Sequence, residues 1–385
     1  MSQRFRPSSR DSFWGDALYE MAVPPSHFLR QLRQAIDWDR LTEGLADLYK
    51  GGAEYGPVPY HPSVLLRMLL ISYLYNLSER QTEEYLNDSF SAKYFLGLAV
   101  HEAAPDHSSI TVFKERLLKR EGPGAFEELF QRIVRAAQEK GIKFGHIQVV
   151  DATHTLADVD VKKDDERRDG GAGPRDEDAR WGTKGRKRVK TADGKTVLVN
   201  KAFYGYKAHL SVNAQSEIIT SVVVTPGNKP DGKQLRELVE KDEEAGVEAR
   251  VYAGDKAYDD GDNHEMLFCR GKSSALCLNR YRTEKYPEGL WAELKASEDY
   301  RQGQGQRYKV EQKNAEGKRR HGLGQCRYLG LARYALQAIM TAMVINLKRM
   351  VLLLCGVRFR RGAGGSPDFR QTATLWSDSF ELARA

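Results

Sequence analysis

The segment HIQVVDATHTL, residues 146–156, decides the fold of the second half of this chain. Its first residues are apolar and β-branched, which is typical of a buried strand, and polar residues follow. Asp151 lies at the polar end of this strand, and Asp255 lies at the end of a second apolar strand, RVYAGD. An acid in such a place is held by a rigid element at the edge of a sheet. The two aspartates are therefore candidate functional residues, although either one alone could be a solvated loop residue or a helix cap.

Further strands and helices follow from the same patterns. Strands are predicted at residues 203–213, 218–228 and 274–279, the first two joined as a hairpin, and helices at 233–246, 308–320 and 331–354. Three strands in succession, followed by alternating helices and strands, predict a mixed sheet flanked by helices.

The N-terminal part, residues 1–140, has helical patterns almost throughout. Pro62 suits the first turn of one helix, and Ser78 with Gln81 forms a capping box that begins the next. The tight link between them is typical of a DNA-binding helix-turn-helix and equally of a structural helical hairpin. Further helices are predicted from Thr111 to Lys119 and over about residues 125–140.

A charged insertion, about residues 158–198, interrupts the strands and has almost no large apolar side chain. This composition predicts a mobile segment. Its basic second half contains Arg186, Lys187 and Arg188, which are candidate DNA contacts, whereas its acidic first half is equally compatible with a solvated loop. The predicted domains are thus residues 1–140, residues 141–355 and a flexible tail at 356–385.

Composition narrows the classes of function. The chain has 385 residues, and 60 Lys and Arg against 53 Asp and Glu give a modest formal charge of +7. The four cysteines have no C-x-x-C spacing, so no zinc or redox pair is indicated. Polar residues interrupt the apolar run at 331–354, which predicts a core helix rather than a membrane span. We expect a soluble cytoplasmic protein with no membrane partner.

A third acid is predicted in GQRYKVEQKNAEGKRRHG, residues 305–322. Glu311 follows Arg307 by four residues and precedes Lys318 by seven, so all three share one helical face. Such a row of charged residues is either a series of solvent-exposed salt bridges or part of a functional site. Glu316 is the competing acid, but it lies one and a half turns further on. Adjacent carboxylates in a sheet need a cation between them, and hard oxygen ligands suit Mg²⁺ or Mn²⁺.

Three blocks of this sequence resemble the DDE transposases of bacterial insertion sequences, in the group that spans the families numbered four and five. The first block is HPSVLLRMLLISYLYNLSERQTEEYLNDSFSAKYFLGL with PDHSSITVFKERL. The second comprises VVDATHT, GYKAHLSVN, VVTPGNKPD and AGDKAY, and the third begins at RYKVEQKNAEGKRRHG. Together they span about residues 57–350, which is most of the chain.

The resemblance implies a ribonuclease H-like fold, with a mixed five-stranded sheet behind an all-helical N-terminal domain for DNA binding or dimerisation. By position, Asp151, Asp255 and Glu311 match the catalytic and metal-binding triad. Arg307 and Lys318 match the basic residues of the family's Tyr-Arg-Glu-Lys signature. The tyrosine of that signature falls on Gln304, so its DNA contact would have to come from elsewhere, with Tyr308 and Tyr300 nearby.

The function implied is metal-dependent cleavage at transposon ends, followed by strand transfer into target DNA. Two Mg²⁺ ions per site, replaceable by Mn²⁺, would activate the nucleophile and stabilise the leaving oxygen. The partners implied are the terminal inverted repeats, target DNA and a second copy of the chain, in a bacterial cytoplasm at the nucleoid. Lys207, His209 and Lys256 are further candidate DNA contacts, whereas strand alternation directs His154 away from Asp151.

Two alternatives share these residues. A ribonuclease H-like nuclease would have the same triad and would cut without joining. A transposase-derived DNA-binding protein would have lost catalysis altogether.

Overall fold

The computed structural model describes residues 5–6, 13–49, 58–191, 193–194, 196–279 and 289–360. The chain divides into two compact units, Met1–Ala136 with Asn346–Ala385, and Ala137–Ile345. The division predicted from sequence, at 140 and 355, stays a prediction. Of the predicted flexible tail, residues 361–385 lie outside the described residues.

The first unit is helical, as predicted. Its helices are α1 Phe13–Ala22, α2 Phe28–Ala35, α3 Trp38–Leu41, α4 Pro62–Tyr75, α5 Glu79–Asp88, α6 Phe90–Leu96, α7 His107–Glu121 and α8 Gly124–Glu139, with a short 3-10 helix at Leu45–Leu48. Helix α4 begins at Pro62 and is buried along almost its whole length. The capping box is confirmed, because the Ser78 side chain accepts from the Gln81 backbone N–H and the Gln81 side chain accepts from the Ser78 backbone N–H.

Helix α5 has the charges of a structural helix rather than those of a DNA-reading helix. It carries four acidic residues and one basic residue, which would repel phosphate. Two of the acids are paired with α7: Glu79 with the Lys114 ammonium, and Glu83 with His107, whose backbone N–H donates to the carboxylate over 2.9 Å. Of the two interpretations of the α4–α5 pair, the structural hairpin is therefore favoured.

The second unit contains the sheet and the helices that cover it. Its elements are β1 Ile147–Leu156, α9 Val161–Asp169, β2 Arg180–Lys190, β3 Thr196–Asn213, β4 Ile219–Pro226, α10 Leu235–Glu244, β5 Val251–Gly254, α11 Gly261–Cys269, β6 Ser273–Leu276, α12 Leu290–Ala296, α13 Glu298–Gln306, α14 Tyr308–Arg320 and α15 Leu331–Cys355. The last of these extends into the first unit.

The sheet has the predicted mixed topology. Strands β4, β3, β1, β5 and β6 lie side by side in that order. The pairs β4–β3 and β3–β1 are antiparallel, and the pairs β1–β5 and β5–β6 are parallel. These five strands are the ribonuclease H-like sheet that the sequence predicts, with a mixed order and flanking helices.

The charged insertion departs from the prediction of a mobile segment. It forms α9 and a sixth strand, β2, which pairs antiparallel with the first half of β3, from Arg180 opposite Gly205 to Lys190 opposite Thr196. Charged side chains do not prevent ladder hydrogen bonds when they face solvent, so the lack of large apolar residues was misleading here. A Thr-Val-Leu-Val run at the start of β3 supplies residues that favour a strand.

Helix α15 is apolar because it lies in the protein core. Its length and composition would allow it to cross a membrane, but 67% of its most apolar window is buried inside the protein. Tyr334, Met340 and Met343 have no exposed surface. This agrees with the core helix predicted from sequence.

Candidate active site

The two aspartates lie side by side because of the register between β1 and β5. Val149 pairs with Ala253 in the parallel ladder, and each strand carries its aspartate two residues further on. Successive side chains of a strand point to opposite faces of the sheet, so residues two apart point to the same face. Asp151 and Asp255 therefore lie on the same face as Val149 and Ala253, on neighbouring strands about 4.8 Å apart. The Asp255 carboxylate accepts a hydrogen bond from the backbone N–H of Ala257 over 2.9 Å, which fixes it in the turn after β5.

The surroundings of Asp151 raise the pKa of its carboxyl. Burial, followed by the charge of Asp255, raises the pKa of this carboxyl from its ordinary 3.8 to about 6. Hydrogen bonds from the Ala152 backbone and the Asn314 amide oppose the rise in pKa, whereas the charge of Glu311 adds to it. Ionisation of Asp151 therefore costs more free energy than it would in water, and a nearby positive charge would reduce that cost.

Helix α14 brings the third acid to these strands. It packs on β1 and β3, and the amide nitrogen of Asn314 donates to Oδ2 of Asp151 over 2.9 Å. Glu311 lies three residues before Asn314, on the same side of the helix. Its carboxylate is 60% exposed, with Oε1 3.8 Å from a guanidinium nitrogen of Arg307. The backbone of Glu311 is therefore at the site, while its side chain faces Arg307 and solvent.

The donor groups fit a hard divalent cation. Asp151 and Asp255 supply carboxylate oxygens whose mutual repulsion a cation would relieve. The buried carbonyl oxygen of Asn314 has no hydrogen-bond partner among the described residues. In the described part of the chain, no three His, Cys, Asp or Glu side chains converge closely enough to hold an ion as they stand. A rotation of the Glu311 side chain toward Asp151 is what such a site requires.

Lys318, in the last turn of α14, lies close enough to Asp151 for the two charges to interact. Its ammonium lies 3.1 Å from Nδ1 of His154, which acts as an acceptor. Burial, together with the charge of Lys184 on β2, lowers the pKa of Lys318 to about 8, and the charge of Asp151 opposes that change. Burial and the nearby lysines lower the pKa of His154 to about 4, so its ring is neutral.

Sequence reasoning missed His154 and Asn314. The alternation of β1 separates His154 from Asp151, but it does not reveal that a lysine from α14 reaches the histidine. Asn314 was not singled out, although its spacing of three residues from Glu311 was a usable signal.

Gln304 stands where the tyrosine of the family signature was expected, and its amide binds the sheet. It donates to the carbonyl oxygens of Gly254, over 3.1 Å, and Ala275. Of the two nearby tyrosines, Tyr308 is 51% exposed, whereas burial raises the pKa of Tyr300. Tyr300 is half-buried, so Tyr308 is the more accessible of the two.

Lys207 and His209, two candidate DNA contacts, lie within the protein. The Lys207 ammonium donates to Asp231 over 2.7 Å and to the carbonyl of Lys229 over 2.9 Å. His209 has no exposed surface, and its Nε2 lies 3.0 Å from Thr225 Oγ1. The structure thus corrects the expectation for His209: the ring is fully buried in the protein interior, where DNA has no access. Lys207 is already engaged in an ion pair.

The remaining candidate DNA contacts are near the surface. Lys256 is exposed in the turn directly after Asp255. Arg188 is exposed on β2; the backbones of Arg186 and Lys187 belong to the same strand, and their side chains lie outside the described residues. A register shift between Thr183 and Arg186 interrupts the β2–β3 pairing.

Two family profiles match the chain. One, described as Transposase DDE domain, matches residues 143–347, which is more than half of the chain, and the other, described as Transposase domain (DUF772), matches residues 18–116.

Solved structures of low identity also align with it. A cryo-EM structure of the piggyBac transposase synaptic complex with hairpin DNA is 9% identical, with a TM-score of 0.39, over 98% of this chain and 83% of that one. The Mos1 transposase paired-end complex with the left transposon end is 10% identical, with a TM-score of 0.20, over 72% and 84%. The Mos1 mariner paired-end complex with Mn is 12% identical, with a TM-score of 0.19, over 76% and 87%. These likenesses are distant and carry no weight beside the two family profiles.

Proposed function

Because the chain belongs to the transposases with a DDE domain, an enzyme family of DNA transposition that uses divalent metal ions, we propose that Asp151, Asp255 and Glu311 are its catalytic triad. The observation that carries this proposal is the register that aligns Asp151 with Asp255 beneath the helix of Glu311. The reaction we propose is cleavage at the terminal inverted repeats of a transposon, followed by joining to target DNA.

The three carboxylates would hold two Mg²⁺ ions, with Asp151 common to both. Such ions supply a metal-activated nucleophile and stabilise the charge on the leaving oxygen. The raised pKa of Asp151 supports this assignment, because a bound cation would relieve the burial cost and the repulsion from Asp255 that raise it.

The basic residues around the triad would bind and orient the DNA strand. Lys318, held by His154, places a point charge beside Asp151, and the Arg307 guanidinium presents a fork suited to a phosphate. When Glu311 turns toward Asp151, Arg307 loses its carboxylate neighbour and becomes free to bind phosphate. Tyr308, at the start of α14, and Lys256, directly after Asp255, are exposed and are proposed as further DNA contacts.

Assembly as a homodimer on two transposon ends, and action at the bacterial nucleoid, belong to the same proposal. Their support is the family membership alone. DNA contacts by β2, through Arg186, Lys187 and Arg188, are also proposed. They are supported by the position of this strand beside Lys318, since the charge of Lys184 on β2 lowers the pKa of Lys318.

The test uses DNA that carries the inverted repeats flanking the gene, labelled at the 3′ end, with Mg²⁺ and a target duplex. Full-length protein should cleave at the repeat and transfer the labelled end, and Asp151→Asn and Asp255→Asn should abolish both steps. Asp262→Asn is the matched control, because Asp262 is an exposed aspartate paired only with Lys233 among the residues described. Cleavage without joining would favour the nuclease, and unchanged activity in Asp151→Asn would refute the triad.

A further inference from the structure

Asn314 links the helix that carries Glu311 to the strand that carries Asp151. It lies one turn after Glu311 on α14, and its amide nitrogen is 2.9 Å from Oδ2 of Asp151. The side chain is 7% exposed, so the surrounding protein fixes its orientation. Asn314 thereby connects the element that carries Glu311 to the carboxylate of Asp151.

The hydrogen bond to Asp151 uses only half of the Asn314 amide. Its carbonyl oxygen is buried and has no hydrogen-bond partner among the described residues. Buried amide oxygens are normally satisfied, so this atom calls for a ligand or a water molecule. The amide cannot be reversed to remove the problem, because an ionised Asp151 requires a donor at that position.

We propose that Asn314 is a positioning residue of the metal site. Its NH₂ group orients Asp151 so that the opposite carboxylate oxygen is available for a divalent cation, and its carbonyl accepts a hydrogen bond from a water molecule of that cation's hydration shell. Mg²⁺ keeps several of its waters when it binds to proteins, so such an acceptor has a physical role. Partners of this kind orient metal ligands, and their loss typically costs about 10- to 100-fold in metal affinity. This inference rests on the proposed role of Asp151 as a metal ligand.

The Asn314 side chain would thus act as a donor to Asp151 and as an acceptor for water, and two variants separate these roles. Asn314→Ala removes both donor and acceptor. Asn314→Asp keeps the size and an acceptor oxygen, loses the donor to Asp151 and adds a negative charge. Gln312→Ala is the matched control, because Gln312 is exposed on the same helix and two residues away.

The experiment measures Mn²⁺ binding to the full-length chain by the EPR signal of free Mn²⁺, and cleavage of labelled transposon-end DNA in parallel. We expect Asn314→Ala to weaken Mn²⁺ binding about 10- to 100-fold, with Gln312→Ala unchanged. Asn314→Asp should bind Mn²⁺ at least as tightly as the wild type, through its added charge, but cleave more slowly, by about 10-fold or more, because Asp151 is no longer held.

The outcomes separate this inference from the proposed function. Wild-type Mn²⁺ affinity in Asn314→Ala, or wild-type cleavage in Asn314→Asp, overturns the role of Asn314, even if Asp151→Asn loses Mn²⁺ binding and cleavage as the triad requires. If Asn314→Ala lowers the melting temperature of the metal-free protein but leaves Mn²⁺ binding unchanged, Asn314 has a structural role only. That outcome also overturns its role in positioning the metal site. Wild-type Mn²⁺ binding and cleavage in Asp151→Asn instead refute the proposed function itself.

Discussion

The ammonium of Lys318 lies 3.1 Å from Nδ1 of His154, a contact that joins the last turn of α14 to the strand carrying Asp151. This hydrogen bond holds a half-buried lysine near Asp151, one of the proposed catalytic carboxylates. We expect His154→Ala to slow DNA cleavage about 10-fold, because Lys318 loses the acceptor that positions it, and His154→Gln to recover part of the rate. In a double-mutant cycle with Lys318→Ala, the two effects should be strongly non-additive. Additive effects would show that the contact has no role in catalysis.

Lys318 should make DNA binding sensitive to mildly alkaline pH. Burial lowers the pKa of Lys318 to about 8, so the side chain is charged below that pH and neutral above it. Affinity of the metal-free protein for transposon-end DNA should therefore fall from pH 7 to pH 9, as measured by fluorescence anisotropy. Lys318→Arg should flatten this dependence, because arginine stays charged throughout. A wild-type profile that is flat over this range contradicts the prediction.

Asp151 should reduce the stability of the metal-free fold at neutral pH. Its folded pKa, about 6, is above the ordinary value of 3.8, so ionisation costs free energy that appears as the pH rises from about 4 and is complete above about 6. Asp151→Asn, measured by urea unfolding in EDTA, should stabilise the protein at pH 8 by at most about 3 kcal/mol. At pH 5 the gain should be about half as large. Equal gains at both pH values would exclude ionisation as the cause.

The β2–β3 hairpin should contribute phosphate contacts. Arg188→Ala and Lys190→Ala remove exposed charges of β2, and each should reduce the slope of log affinity against log salt by about one. Lys143→Ala is the matched control, because Lys143 is also exposed but precedes β1 and lies outside the β2–β3 hairpin. If neither variant changes the slope of log affinity against log salt, β2 is not part of the DNA-binding surface.

Gly303 should be required for the packing of α13 on the sheet. A Cβ at this position would lie 2.6 Å from the Cβ of Ala275 and 3.2 Å from that of Ala253, so Gly303→Ala should destabilise the protein by about 1–3 kcal/mol. Gly305→Ala, on the same helix, meets no atom within 4 Å and should be neutral or stabilising. Equal unfolding midpoints for the two variants would show that Gly303 is not needed for this packing.

The parts of the fold that could be predicted from sequence are those in which apolar patterning and capping agree. The core strands, the capping box at Ser78 and the bounds of α14 are examples. The strand β2 could not be predicted, because it is stabilised by pairing with β3 rather than by apolar residues of its own. The same limit applied to the site. Strand ends identified Asp151 and Asp255, but the contacts of Asn314 and His154 depend on how α14 packs, and no spacing within one element reveals that.

The identity of the third acid decides whether α14 and the two strands form one catalytic site. Glu311 precedes Asn314 by one turn, whereas Oε1 of Glu316 lies 3.9 Å from Nε2 of His321, the C-cap residue of α14. The decisive measurement is Mg²⁺-dependent cleavage of 3′-labelled transposon-end DNA by Glu311→Ala and Glu316→Ala. If Glu311 completes the triad, cleavage is lost in Glu311→Ala and retained in Glu316→Ala. Retention in Glu311→Ala with loss in Glu316→Ala would refute this assignment.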